Sequence, residues 1–251
     1  MKSLIKKLLP VVILKSYKIM KRKREVASNK NATVEKVFTD IYLHNKWGGA
    51  KGEFSSGSGS VDQAIVSRYV EMLSKLAVSE GFKGLKFVDL GCGDFHIGQQ
   101  LVSLCKHYSG VDIVKPLIER NQKLFGNQYI NFLHLNILED NLPDGDVCFV
   151  RQVLQHLSNL QIGMLLEKLK KYRWVFITEH YPTDNAEIVP NIDKVHGSDI
   201  RIYDNSGVYL VLPPFKLSPS ALSVVLEVPG AVVPSGDRGV IRTFLYKPAL
   251  V

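Results

Sequence analysis

Apolar residues recur along the chain in two alternating rhythms. Val34, Val37, Phe38 and Ile41 fall on one helical face, as do Val61, Ile65, Tyr69, Met72, Leu73 and Leu76, with Ser60 or Asp62 placed to cap that second helix. The run Phe87-Val88-Asp89-Leu90 reads as a short strand, and helical spacing resumes at Ile97, Leu101 and Leu104. The cycle then repeats. A strand is predicted at Tyr108–Asp112, a helix from Ile113 to Phe125, a strand at Tyr129–Asn136, and a strand at Val147–Arg151 with a helix opening at Gln152. A fifth strand is predicted at Trp174–Thr178. The partly alternating runs Leu222–Val228 and Val240–Tyr246 suit an antiparallel pair. Strands interleaved with helices predict an α/β architecture.

Size and composition agree with that pattern. The 251 residues suffice for one large α/β domain with decoration, and 45% hydrophobic content supports a packed core. Three cysteines without Cys-x-x-Cys spacing argue against a disulfide framework or structural zinc, and for a reducing, cytoplasmic compartment. The net charge of +8 is unevenly spread. Residues 1–30 hold ten Lys/Arg against one Glu, while the remainder holds 22 basic and 23 acidic residues. The body is thus near neutral, which argues against a broad nucleic-acid groove. Residues 1–24 combine an apolar run from Leu8 to Leu14, broken by Pro10, with the basic cluster Lys21-Arg22-Lys23-Arg24. The run falls well short of the roughly 20 residues a bilayer span needs. Two readings stand: a peripheral anchor on an anionic membrane, or a solvated or docked N-terminal helix.

The most informative stretch is Asp89-Leu90-Gly91-Cys92-Gly93. Glycines after a strand let the backbone approach a ligand closely. A dinucleotide fingerprint needs Gly-x-Gly-x-x-Gly, but four residues separate Gly93 from Gly98. An acid at the strand end would repel a phosphate and could hold an ammonium. About twenty residues on, Tyr108-Ser109-Gly110-Val111-Asp112 ends a second strand in a carboxylate, which suits ribose hydroxyls. This combination resembles motif I of the class I S-adenosylmethionine-dependent methyltransferases. Leu142-Pro143-Asp144-Gly145-Asp146, the strand behind it and Val153-Leu154-Gln155-His156-Leu157 resemble motif IV and the helix that follows it. The resemblance covers roughly residues 60–247.

The resemblance implies a doubly wound, mostly parallel seven-stranded sheet with a reversed C-terminal strand, helices on both faces and an N-terminal helical lid. It implies S-adenosylmethionine as cofactor, with Asp89, Gly91, Gly93 and Asp112 holding it. Asn136-Ile137 stands where the family often has an acid and an apolar residue against adenine. Arg151 and Gln152 fall beside the sulfonium, at the carboxyl end of the fourth strand. The chain divides as a basic segment (1–30), a lid helix with a Gly/Ser loop (31–60), and a cofactor-binding domain (61–251) with an acceptor insertion (183–217). In the lid, Trp47 and Tyr42 would cover cofactor or substrate, and Ser58 and Gly59 would donate to the methionine carboxylate. In the insertion, Asp199 and Arg201 could bind sugar hydroxyls or an acidic group, with Tyr181 at the same edge.

A hydroxyl acceptor needs a base, and a carboxylate acceptor would need none. Histidine is the natural candidate near neutral pH, so His180, His156 and His196 are the candidates. Glu179, His180 and His156 could hold a divalent metal, but their spacing is not diagnostic, so no metal ligand is assigned and metal dependence stays open. The short basic-apolar N-terminus and the lid tract are similar to those of bacterial methyltransferases of surface-polysaccharide synthesis. The resulting expectation is O-methylation of a sugar or glycan hydroxyl, the glycan lipid-linked at the inner face of a membrane. The alternatives are a peptide or natural-product acceptor, or a non-catalytic S-adenosylmethionine-binding module. The oligomeric state is open.

Overall fold

Seven strands form one sheet, and their side chains divide cleanly between its two faces. In the computed structural model, which describes residues 11–50, 53–183, 187–230 and 239–249, the strands are β1 (Lys86–Leu90), β2 (His107–Asp112), β3 (Ile130–His134), β4 (Val147–Arg151), β5 (Trp174–Tyr181), β6 (Leu222–Pro229) and β7 (Val240–Tyr246). Their order is β3-β2-β1-β4-β5-β7-β6. Neighbours from β3 through β5 are parallel, and β7 alone runs against both of its neighbours, β5 and β6. The α/β sheet with one reversed strand is as the sequence implied.

Successive strand residues point to opposite faces. Phe87, Phe149 and Phe176 face a cluster with Val66, Tyr69 and Leu73 of α3 (Gln63–Ser79). Val88, Val150, Val175 and Ile177 face Ile162, Leu165, Leu166 and Leu169 of α5 (Asn159–Leu169). Each of these side chains is essentially inaccessible, and complete burial of one stabilises the fold by about 1.5–3 kcal/mol. Two further helices precede α3: α1 (Val11–Asn29) and α2 (Val34–Leu43). Helix α4 (Lys115–Phe125) follows β2. Asp62 caps α3 by accepting from the Ala64 amide. Residues 1–10, with part of the apolar-basic segment, lie outside the described residues. No described helix is long and apolar enough to cross a membrane.

One expected helix is absent and another starts later than expected. Ile97, Leu101 and Leu104 lie on two 3₁₀ turns, Gly98–Gln100 and Val102–Leu104. Phe95, in the left-handed region with φ 68°, buries its ring against Tyr108, Phe125 and Phe132. The turns still bury Ile97 and Leu101. Similarly, Leu154–His156 is a 3₁₀ turn. The helix begins only at Asn159, where Ser158 and Gln161 form a capping box.

Candidate active site

The carboxyl ends of β3, β2, β1, β4 and β5 open into a cavity of about 350 Å³, within the usual range for small-molecule sites. Strand order sets the order of residues along it: Asn136 and Ile137, then Asp112, then Asp89, Gly91 and Gly93, then Arg151 and Gln152, and last His180.

The turn after β1 is held from three sides. Gly91 (φ 76°) and Gly93 (φ 54°) adopt left-handed backbone that disfavours other residues. The amides of Gly91 and Cys92 donate to Val111 O at 2.8 and 3.0 Å. The Gly93 amide donates to Asp112 Oδ2 at 3.1 Å, and Asn121 Nδ2 donates to Gly93 O at 2.7 Å. Asp112 Oδ1 accepts from the Val114 amide at 3.0 Å. Each carboxylate oxygen so engaged keeps acceptor capacity toward the cavity. Burial raises Asp112 to about 6, opposed by the hydrogen bonds from Val114 and Gly93. Burial likewise raises Asp89 to about 6, opposed by the Tyr108 hydroxyl donating to it and by the nearby Arg151. Both are predominantly ionised at neutral pH. Asn136 Oδ1 accepts from its own turn, at Leu138 N (3.1 Å).

The segment before α3 closes over this turn. Ser56 Oγ accepts from the Asp94 amide (2.9 Å), and the Ser56 amide donates to Asp94 Oδ2 (3.1 Å). Tyr42 OH lies 3.1 Å from Ser56 Oγ. Arg151 Nη2 donates to Gly59 O at 2.7 Å, and its guanidinium stands over the Tyr69 ring. Gly59 therefore lies at the cavity with its carbonyl committed to Arg151. Ser58 begins a helical turn, Ser58–Val61, and its side chain lies outside the described ones. Trp47 packs edge-on against Tyr42 and tilted against His156, with centroids 5.2 and 5.0 Å away, and donates Nε1–H to Ser198 O.

Two of the three expected histidines reach the cavity. His180 is buried on β5 and lines it. His156 is buried on the turn after β4, its Nδ1 3.0 Å from Gly197 O and its Nε2 3.4 Å from Gln155 Nε2. Burial, reinforced by the charge of Lys194, lowers His156 to about 3, so it is neutral at physiological pH. His196 is a correction. It does not line the cavity, and its ring nitrogens face Gln161 Nε2 and Ala32 O. Arg201 is also corrected, because it is 1% exposed and donates to the carbonyls of Ile192 and Leu157. Tyr181 is buried, with its hydroxyl donating to Val208 O. Asp199 is turned from the cavity to Arg22 of α1 and to Lys194. His196, Arg201 and Asp199 hold the insertion in place and Tyr181 fastens the end of β5 to it; none of the four lines the cavity. Glu179 supports the β4 turn, its oxygens accepting from the Leu154 and Gln155 amides.

Sequence reasoning missed Ser56, Asp94, Asn121 and Gln155. The polar residue directly after Gly93 was a signal for Asp94. Nothing local marked Ser56, whose partner lies 38 residues away.

Residues 88–167 match the family model of a methyltransferase domain. Proteins named as uncharacterized methyltransferases from Mycobacterium bovis and Mycobacterium tuberculosis are 29% identical over 79 residues. That match covers 31% of this chain and 40% of each relative. Among solved structures, the N-methyltransferase NodS from Bradyrhizobium japonicum, in complex with S-adenosylhomocysteine, superposes with a TM-score of 0.56 at 16% identity, covering 83% of this chain and 98% of that one. Magnesium protoporphyrin IX methyltransferase from Synechocystis, with the same molecule bound, gives 0.52 at 15% identity, covering 86% and 100%. The segment that builds the Gly91–Gly93 turn, Asp112 and the β4 turn is thus similar to a methyltransferase domain, set in a chain with the fold of these enzymes.

Proposed function

We propose that the chain is an S-adenosylmethionine-dependent methyltransferase acting on a hydroxyl of a small acceptor, a sugar or glycan being the class favoured. The observation that carries this reading is the continuous cavity from Asp112 to His180, which passes two buried carboxylates at one end and two buried histidines at the other.

The residues present fit the cofactor. Asp112 keeps acceptor capacity for ribose hydroxyls, Ile113, Ile137 and Leu138 offer apolar surface to a planar base, and Asp89 supplies a charge for an ammonium group. Gly91 and Gly93 shape the turn beside the methionine portion. When bound, the cofactor supplies an electrophilic methyl group. The chain's part is to align the acceptor, exclude water and take up a proton. Trp47, Tyr42 and the Ser56–Asp94 pair cover the site, and such alignment can supply several kcal/mol. His180, buried on β5 and lining the cavity, is the proton acceptor in this reading, since burial leaves His156 a weak base.

Helix α1 supports a second feature, contact with an anionic membrane bearing the acceptor. Lys21, Lys23 and Arg24 are exposed while Arg22 is committed to the body. Sedimentation with phosphatidylglycerol vesicles is expected to fall when Lys21, Lys23 and Arg24 are all replaced by Glu, and equal sedimentation removes the membrane from the reading.

The enzyme reading is tested by calorimetric binding of S-adenosylhomocysteine and by transfer of a labelled methyl group into fractions of a source-cell lysate. Binding together with label in a polysaccharide or lipid-linked fraction, both lost in Asp112→Ala, is the expected result. Label in protein or nucleic acid overturns the acceptor class, and absence of binding overturns the cofactor.

A further inference from the structure

Gln155 is 5% exposed and lines the cavity, and its Oε1 has no hydrogen-bond partner among the described residues. A buried acceptor left unpaired is costly, and a donor brought to it relieves that cost.

The orientation of this amide follows from its neighbours. Gly197 O can only accept, so the Nδ1 that faces it carries the proton of the neutral His156 ring. Nε2 of that ring is then an acceptor, and the group of Gln155 turned toward it must be the NH₂. The reversed amide would set two acceptors against each other. Oε1 is thereby directed away from the ring as a bare acceptor. The Gly197 amide also donates to His156 O at 3.0 Å, so the insertion grips this residue twice. Below, the Gln155 amide is fixed by Glu179 Oε2 at 3.1 Å. Gly197 O, His156 and Gln155 thus form a chain of fixed polarity that ends in a buried, unpaired acceptor on a residue that lines the cavity.

We infer that Gln155 Oε1 is a recognition point for the acceptor substrate, taking a hydrogen bond from a neutral donor, a hydroxyl or an un-ionised amine, and that His156 is the positioning residue that sets its polarity. This rests on the methyltransferase reading and narrows its substrate class. A ligand presenting a carboxylate or phosphate oxygen at this point would meet a lone pair and be rejected. The place of Gln155 is on the wall shared with His156 and Trp47, at the β4–β5 end of the cavity, away from Asp112 at the β2 end. His156 acts here through Gln155 and needs no titration of its own.

The test uses the full chain saturated with S-adenosylhomocysteine and ligand-observed saturation-transfer spectra of three probes: methyl α-glucopyranoside, the acceptor-only probe trimethylamine N-oxide, and acetate. Wild type is expected to bind the glucoside and neither of the others. Gln155→Leu is expected to weaken glucoside binding about tenfold, the scale of one lost hydrogen bond to a buried group. S-adenosylhomocysteine affinity should stay within about twofold of wild type, which also reports that the variant is folded. Gln155→Glu keeps an acceptor oxygen and should keep glucoside binding. His156→Phe frees the amide to turn, and trimethylamine N-oxide should then gain binding, a change that loss of packing alone would not produce. Failure of wild type to prefer the glucoside, or an unchanged preference in both Gln155→Leu and His156→Phe, overturns the inference. A tenfold loss of S-adenosylhomocysteine affinity in Gln155→Leu overturns it too, by assigning Gln155 to the cofactor. Absence of S-adenosylhomocysteine binding in wild type would instead strike the cofactor reading itself.

Discussion

Ser56 and Asp94 clasp each other across the cavity mouth: the Ser56 hydroxyl accepts from the Asp94 amide while the Asp94 carboxylate accepts from the Ser56 amide. One pair therefore fastens the segment before α3, the proposed lid, to the turn after β1. Ser56→Ala is expected to cost about 0.5–1.5 kcal/mol of stability. Asp94→Ala should cost more, because Asp94 Oδ1 also accepts from the His96 amide. Both variants should release S-adenosylhomocysteine faster in stopped-flow displacement. In a double-mutant cycle the two should couple by at least about 0.5 kcal/mol. Strict additivity would show that the clasp does not hold the lid.

The charge state of Asp112 governs its value as an acceptor. Its pKa stands at about 6, as does that of Asp89. Below that value each carboxyl becomes protonated and loses acceptor strength. Affinity for S-adenosylhomocysteine, measured by calorimetry, is therefore expected to be constant above neutrality and to fall as pH drops through 6. Asp112→Asn should bind about 10- to 100-fold more weakly at pH 8, since hydrogen bonds to a charged group are worth about 1.5–3 kcal/mol. Its acid-side slope should be smaller by one proton. An unchanged slope would remove Asp112 from the cofactor site.

Arg22 joins α1 to the insertion through Asp199 and Asp204, and Glu25 continues the contact to Ser198 and Lys46. Ser198 O in turn accepts from the Trp47 indole. These ion pairs are partly exposed, so salt should weaken them. Arg22→Glu is expected to undock α1, speeding amide exchange over residues 20–30 and shifting Trp47 emission to the red. High ionic strength should produce part of the same shift in wild type. The Trp174→Phe background isolates the Trp47 signal, as these are the two tryptophans of the chain. No shift in either condition would mean that α1 docks by other contacts.

The parts of this molecule that were legible in the sequence are those whose signal is local. Phe87-Val88-Asp89-Leu90 followed by Gly91 and Gly93 announces strand and turn, and Asp112 closes the neighbouring strand. Spacing could not separate a helix from 3₁₀ turns at Ile97, Leu101 and Leu104, because both geometries can turn such positions toward the core. Polar residues of the insertion misled for a related reason. Arg201 looks like a ligand-facing cation until Leu157, 44 residues away, supplies a carbonyl to it. Gln155 escaped notice because its meaning depends on which nitrogen of His156 faces Gly197.

Arg201 offers a direct comparison between a structural and a substrate role. Its guanidinium is buried and donates from its two terminal nitrogens to the Ile192 and Leu157 carbonyls, its Nε having no partner among the described residues, with Asp193 and Glu179 near enough to favour its charge. Arg201→Leu would leave two buried carbonyls without donors, at a cost of about 1–3 kcal/mol for each. Thermal denaturation should show a markedly lower Tm than wild type. Arg201→Lys should recover only part of it, since an ammonium lacks the planar fork that reaches both carbonyls. A normal Tm with an altered acceptor KM would restore Arg201 as a ligand contact.

Glu179 gives the clearest pH signature. It is fully buried beneath the β4 turn, and burial raises it from 4.5 to about 8, against the opposing pull of the Leu154 and Gln155 amides and Arg201. The folded chain therefore keeps this proton up to about pH 8, whereas the unfolded chain releases it near 4.5. Across that window the folded state binds more protons, so the contribution of Glu179 to stability falls as pH rises, by up to about 1.4 kcal/mol per pH unit. Below 4.5 both states are protonated and the effect vanishes. His156, lowered from 6.5 to about 3, acts in the opposite sense, adding stability as pH rises through that interval. Comparison with Glu179→Gln isolates the titration, because glutamine cannot ionise, while its NH₂ cannot accept from the second of the two amides and lowers stability equally at every pH. In urea denaturation the stability of the variant relative to wild type is expected to rise by about 2–3 kcal/mol between pH 5 and pH 7, the integral of that slope over two units. A difference that stays the same at both values would mean that Glu179 is ionised beneath the turn.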